Sequence, residues 1–519
     1  MPIRMEEDPN QGQQNNDNRP NNPGGGGGIG GLGKLLPFLL LFLFKRPKLI
    51  IPVLLIGGAW YFFFGGAEFL NNAGGGGIED SPFSTGATYN EAKFLETEIF
   101  EPLAYGSNGV PSSFSLLKYA PPRQNQGRQG SCVGWASAYA ARSILYARET
   151  GKNPSQVPFS PSFLYNHIAI PNSNCQGSYL PDAMGFMKQY GSLPLSQFPY
   201  DPSTCRLRAS DSEARVASQF KVRGYQRLTK GRSTPDMQAI RQYIAKGGPV
   251  VIGMEVGGSF MQAMEGRKLW QPTQRDRSKR GFGGHAMCVI GYDDNFAGGA
   301  FQIMNSWGPE WGENGVCWVT YRDFDFYVME AYGLYPMGQS VQANKDRLAV
   351  KFALVLNNGG RSVQLRNTGG NTFKTMQALN KGDKFKIAVT NSVECYTYVF
   401  GAETDGSSYV LFPYTNKHSA YCGLTGVRLF PRDYSMVPDG LGNQDYMAVV
   451  VSKRELDYQA INNAINSARG NNYAEKVNNA LRSKFIPNVK YSGGTEISFD
   501  GKIQGSKDAV AVVMAIDKK

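Results

Sequence analysis

The chain has 519 residues, 41% of them hydrophobic, with 54 Lys+Arg against 42 Asp+Glu and a formal net charge of +12. That composition excludes a mainly disordered chain and a disulfide miniprotein, and a single strongly apolar region excludes a polytopic membrane protein. The basic residues are scattered and form no recognisable nucleic-acid module, so no nucleic-acid partner is expected. Only three histidines occur, His167, His285 and His418, which leaves few places for histidine chemistry.

Residues 1–33 are rich in Asn, Gln, Pro and Gly and read as a disordered polar leader. Two apolar runs follow, 35–44 and 49–64, and Gly65, Gly66 and Ala67 extend the second to nineteen residues. At about 1.5 Å per residue this just spans a hydrocarbon core of about 30 Å. Lys34, Lys45, Arg46 and Lys48 precede the span, whereas Glu68, Glu79 and Asp80 follow it. The positive-inside rule then puts the N-terminus in the cytoplasm. Residues 34–66 are therefore predicted to be a single membrane anchor. The rest of the chain is expected in the periplasm or outside the cell. Residues 67–112 read as a linker that is Gly-rich at its start.

Residues 113–340 read as one globular α+β domain, helices first and strands later. Helices are predicted at 132–148, 182–190 and 235–245, and strands at 250–256, 285–292, 301–304 and 316–321. Residues 341–519 carry β-rich runs at 348–356, 385–389, 396–400, 409–412 and 446–452, a helical stretch near 455–484 and a last strand at 509–516. That pattern predicts a β-sandwich-like second domain with a helical segment.

Seven cysteines occur: Cys132, Cys175, Cys205, Cys288, Cys317, Cys395 and Cys422. An odd number leaves at least one thiol unpaired in an oxidising compartment, and the spacings match no zinc site. No metal or cofactor is called for. Cys132 opens an Ala-rich helix, where the helix dipole is expected to lower its pKa. Gln126, six residues earlier, offers a side-chain amide as an oxyanion donor. His285 starts an apolar strand behind Gly283 and Gly284. Asn305 offers an amide to orient an imidazole, and Trp307 an indole to shield that contact.

The runs Gln126-Gly127-Arg128-Gln129-Gly130-Ser131-Cys132, Gly283-Gly284-His285-Ala286 and Asn305-Ser306-Trp307-Gly308 together resemble the papain-like cysteine peptidases. The likeness spans roughly residues 113–337, and three separated motifs in the family's order are far more specific than any one alone. The resemblance implies a two-lobed papain-like fold and a peptide or protein substrate. It makes Cys132 the nucleophile, His285 the general acid/base and Asn305 the residue that orients His285. Gln126 and the Cys132 backbone N–H would form the oxyanion hole, and Trp307 would cover the His–Asn contact. Val133 stands where the family has Trp, and Gln129 where it has Cys. The family's usual partner of Cys175 is thus missing, and Cys205 is the expected replacement. Residues 67–112 lack the family's long helical propeptide pattern.

Gly382-Asp383-Lys384-Phe385, Tyr396-Thr397-Tyr398-Val399-Phe400, Leu411-Phe412-Pro413 and Asp445-Tyr446-Met447 resemble a bacterial domain family of unknown function appended to exported proteins. It implies an accessory β-sandwich, with an envelope partner as one role. The expectation is a membrane-anchored thiol endopeptidase acting through a Cys132 acyl-enzyme. The alternatives are an inactive papain-fold peptide-binding scaffold and a cysteine acyltransferase or transpeptidase.

Overall fold

The computed structural model describes residues 3–7, 83–104, 110–335, 346–432 and 434–519. The predicted anchor at 34–66 lies outside the described residues. Among the described residues no helix is long and apolar enough to cross a membrane.

In the first domain one helix runs under a curved antiparallel sheet. It comprises the consecutive segments Cys132–Gly134, Trp135–Arg142 and Ser143–Thr150, the middle one wound as a π-helix. Ala136, Ala138, Ala140, Ala141 and Ala147 are all buried along it, so small side chains let the helix backbone approach its neighbours closely. Ser143 Oγ donates to the Ala138 carbonyl five residues back, in keeping with the wider π turn. Gly151, at φ 68°, ends the helix in the left-handed region that glycine occupies without a Cβ penalty. Pro161–Ile168, capped by the Ser160 side chain, and Leu180–Gln189 complete the helical side.

The sheet runs in the order Tyr225–Arg227, Val328–Leu334, Val250–Val256, Gly283–Asp293, Ala300–Met304 and Val316–Thr320. Ser113–Ser115 pairs with the Gly283–Asp293 strand. The last predicted strand stops one residue early, because the Thr320 side chain caps a helix at Tyr321–Tyr327. Val328–Leu334, absent from the sequence reading, lies between the edge strand Tyr225–Arg227 and Val250–Val256 and is buried throughout. A strand buried on both faces has no polar–apolar alternation to reveal it.

Residues 346–519, with Ile3–Glu7 as one further strand, fold into two seven-stranded sheets packed face to face, with two helices on the outer face of one. One sheet contributes Leu348, Val350, Phe352 and Leu354 to the shared core, and the other Val449, Val451, Val510 and Val512. The alternate residues Ala448, Val450, Ala511 and Val513 face the helices Tyr458–Ser467 and Tyr473–Leu481 through Ile461, Ile465, Val477 and Leu481. This explains the continuous apolar run at 509–516, which has one face on a sheet and the other on helices. Ile3–Glu7, inside the leader read as disordered, pairs antiparallel with Tyr434–Pro438 and buries Ile3. Five residues in a polar tract carry too short a pattern to read.

Residues 83–104, read as linker, are packed structure. A helix at Glu91–Glu96 buries Phe94, and Phe100 and Leu103 are buried beyond it. Residues 98–104 form a seam between the domains. Phe100 N–H donates to Arg227 O on one side, while Ile99 and Ala104 donate to Lys417 O and Val427 O on the other. The buried Arg428 donates from Nε to Glu101 O and from Nη1 to Asn391 Oδ1. Glu101 accepts from Tyr414 at 3.3 Å and faces His418 Nδ1 at 2.8 Å. Arg428→Met strands these buried acceptors, so we expect about 2 kcal/mol of lost stability. A urea midpoint unchanged from wild type would show that the seam does not depend on Arg428.

Candidate active site

Cys132 and His285 approach from opposite sides, one at the start of the central helix and one near the start of a sheet strand. Cys132 Sγ accepts a 3.3 Å hydrogen bond from Ala286 N–H, next to His285. Both residues are 0% exposed. Burial pushes the Cys132 thiol up to about 12, against the pull of the Ala286, Val133 and Cys132 N–H groups. The sequence-based expectation was a lowered pKa. The helix terminus does donate to sulfur, but desolvation outweighs it in this covered state.

His285 Nε2 lies 2.7 Å from Asn305 Oδ1, which also accepts from Ser306 N–H at 2.7 Å. An oxygen accepting from a backbone N–H cannot be the amide nitrogen, so His285 carries its proton on Nε2. Nδ1 is left with a free lone pair and has no hydrogen-bond partner among the described residues. Trp307 stacks on the imidazole with centroids 4.3 Å apart and planes 23° apart. Burial lowers the His285 pKa to about 4, with the Asn305 bond opposing the shift. In this state the pair is a neutral thiol beside a neutral imidazole.

Gln126 is held from three sides. Its N–H donates to Ser306 O, and its Oε1 accepts from Ser306 Oγ at 2.6 Å. Its carbonyl accepts from Tyr200 OH at 2.7 Å. With Oε1 committed, Nε2 is left to donate, and here it meets Gln129 O at 3.0 Å. Ser306 and Tyr200 were not singled out from the sequence as site residues. Ser306 nonetheless lies in a run already noted, Asn305–Gly308. Cys175 and Cys205 are joined in a disulfide. The Cys175 carbonyl accepts from Gly130 N–H, tying that loop to the approach to Cys132. Cys395 and Cys422 stand directly opposite each other on paired strands as free thiols, and Cys288 and Cys317 are buried free thiols. Of the basic run before His285, Arg277 and Lys279 pair with Asp323 and Glu255. His167 Nδ1 sits 2.7 Å from Phe163 O, a local helix contact.

Residues 83–88 lie across the site as an extended strap. Phe83 stacks on Trp307 at 4.8 Å, and Trp307 Nε1 donates to Ser84 O. Gly86 and Ala87 N–H both donate to Gly284 O. Thr88 N–H donates to Ser178 O, and Ser178 N–H to Gly86 O. The approach needs glycine on both sides. A Cβ on Gly284 would sit 2.1 Å from Ala87 O, and one on Gly86 2.2 Å from Gly130 O.

Residues 111–337 match the family model for papain family cysteine proteases. An uncharacterized peptidase C1-like protein of Acanthamoeba polyphaga mimivirus is 31% identical over 38% of this chain and 64% of its own length. Mouse (Mus musculus) cathepsin K is 29% identical over 40% of this chain and 58% of its own. The chain thus spans about three-fifths of the curated relatives it matches. Among solved structures, xylellain, a cysteine protease from Xylella fastidiosa, aligns over 49% of this chain and 96% of its own with a TM-score of 0.40 and 22% identity. The chain carries a papain-family cysteine protease domain, a papain-like cysteine peptidase unit of α+β architecture, at residues 111–337.

Gly86→Val forces the strap off Gly130 O. We expect iodoacetamide to alkylate Cys132 at least about tenfold faster at pH 7.5 in this variant, as the thiol pKa falls toward its ordinary ~8.5. Equal rates in both proteins would mean that something other than the strap covers the thiol.

Proposed function

We propose that this chain is a membrane-anchored thiol endopeptidase that hydrolyses peptide bonds through a Cys132 acyl-enzyme. The observation carrying the reading is the fixed His285 tautomer. Nε2 is committed to Asn305, and Nδ1 has no partner among the described residues. Once the strap is displaced, Nδ1 takes the thiol proton and the thiolate attacks the substrate carbonyl. The developing oxyanion is received by Cys132 N–H and by Gln126 Nε2, turned from Gln129 O. His285 then returns the proton to the leaving amine, and water hydrolyses the thioester. Asn305 and Trp307 position the imidazole and keep water from its hydrogen bond.

The anchor is residues 34–66, with the peptidase domain outside the cytoplasmic membrane. The flanking charge asymmetry supports that orientation, and the Cys175–Cys205 disulfide suits an oxidising compartment. The second domain, fixed along the 98–104 seam, holds the peptidase at a set orientation toward an envelope partner.

The strap also sets direction. His285 protonates the leaving amine, so the C-terminal part of a productive substrate passes over His285 and Trp307. In the strap it is the N-terminal part, Phe83–Ser84, that lies there. The strap is therefore threaded backwards and occupies the cleft without presenting a cleavable bond.

The test is labelling with a peptidyl-epoxide in the Gly86→Val background, with the adduct located by mass spectrometry. An adduct on Cys132 that disappears in His285→Ala is expected. Peptide hydrolysis should fall at least about 10³-fold in Cys132→Ala and about 10- to 100-fold in Asn305→Ala. An unlabelled, accessible Cys132 would favour the peptide-binding scaffold. Transfer to an added amine in preference to water would favour an acyltransferase.

A further inference from the structure

In the second domain, far in sequence from the peptidase site, three ionisable side chains meet with almost no solvent. Lys518 Nζ lies 2.5 Å from Asp439 Oδ1 and 2.6 Å from Asp445 Oδ1. Their side chains are 0%, 1% and 1% exposed. Asp439 follows the strand Tyr434–Pro438 of one sheet. Asp445 lies on Gln444–Ser452, and Lys518 directly follows Ala509–Asp517, its paired neighbour in the other sheet. Lys518 N–H donates to Asn443 O, and Leu441 N–H to Asp439 Oδ1, so both backbones are fixed around the contact.

One ammonium against two carboxylates leaves a net charge in a dry site, which is costly. Asp445 Oδ2 has no hydrogen-bond partner among the described residues, as fits a carboxyl that keeps its proton. Burial raises the Asp445 pKa to about 6, opposed by Lys518. Against desolvation, the hydrogen bonds of Lys518 hold Asp439 below its ordinary value and Lys518 above it, so the pair rests as ions, and the reacting species is the minor form with amine beside carboxylic acid.

We propose that Lys518 and Asp439 condense to an intramolecular isopeptide bond that staples the two sheets, with Asp445 as the proton carrier. The Lys518 Nζ lone pair attacks Asp439 Cγ, which the short contact holds at roughly the 3–3.5 Å of a near-attack geometry. Asp445 takes a proton from the attacking nitrogen and delivers one to the departing hydroxyl. A C–N bond forms, a C–O bond breaks and one water leaves. Asp445 ends as it began and no oxidant or co-reactant is consumed. The product is a neutral amide in place of a buried ion pair, and Asp445 can hydrogen-bond to it. The sandwich is then closed covalently, which suits a domain held beside a protease.

The full chain is purified in detergent, incubated at pH 6–7 and digested with trypsin. The expected product joins peptide 433–453 to peptide 508–519, one water short of their summed mass, with the branch at Asp439 and Lys518. Mass loss alone does not suffice, because Asp439 precedes Gly440 and succinimide formation there also removes one water. Lys518→Arg should abolish the branch. Asp445→Asn should keep the hydrogen-bonding shape and lower the branched fraction at least tenfold at equal times. Only linear peptides from folded wild-type protein would overturn the proposal. A branch that forms as fast in Asp445→Asn would overturn the role of Asp445.

Discussion

The hydrogen bond between His285 Nε2 and Asn305 Oδ1 decides which ring nitrogen is available, and the surrounding structure is arranged to protect that choice. Asn305 cannot flip, because Ser306 N–H already donates to its oxygen. The imidazole cannot rotate without losing its stack on Trp307. Ser306 also reaches Gln126 Oε1, so one short turn orients both the imidazole and the Gln126 amide. A site built this way needs little reorganisation at the moment of reaction.

The same burial that protects this bond also suppresses the chemistry. Under the strap the thiol is pushed up and the imidazole down, so proton transfer between them is unfavourable. The strap is held mainly by backbone hydrogen bonds to Gly284 and Ser178 and by the stack of Phe83 on Trp307. Such contacts are individually modest and exchange readily with those of a peptide. The strap leads through the Glu91–Glu96 helix into the seam between the domains. The covering of the peptidase site and the docking of the second domain thus depend on one continuous segment, residues 83–104.

The second domain solves a different problem. Two sheets and two helices bury long apolar runs against one another. The buried Lys518–Asp439–Asp445 cluster sits where the sheets meet, at the point where sandwich packing alone leaves polar groups to be satisfied. No local pattern around Lys518 suggests this, since its partners lie 73 and 79 residues earlier in the chain.

The side chains that meet at the candidate site were named from the sequence. Cys132, His285, Asn305 and Gln126 sit in short motifs whose residue types are dictated by what a thiolate, a base and an oxyanion need locally. The strands at 250–256 and 301–304 were legible because β-branched and apolar runs bounded by turn residues leave few alternatives. Val328–Leu334 was not, because burial on both faces erases periodicity. Residues 83–88 were not, because backbone hydrogen bonds leave no mark on side-chain composition. The direction of the Cys132 pKa was decided by tertiary structure for the same reason. A helix terminus is a local property that the sequence states, whereas desolvation depends on what folds over the thiol from elsewhere in the chain.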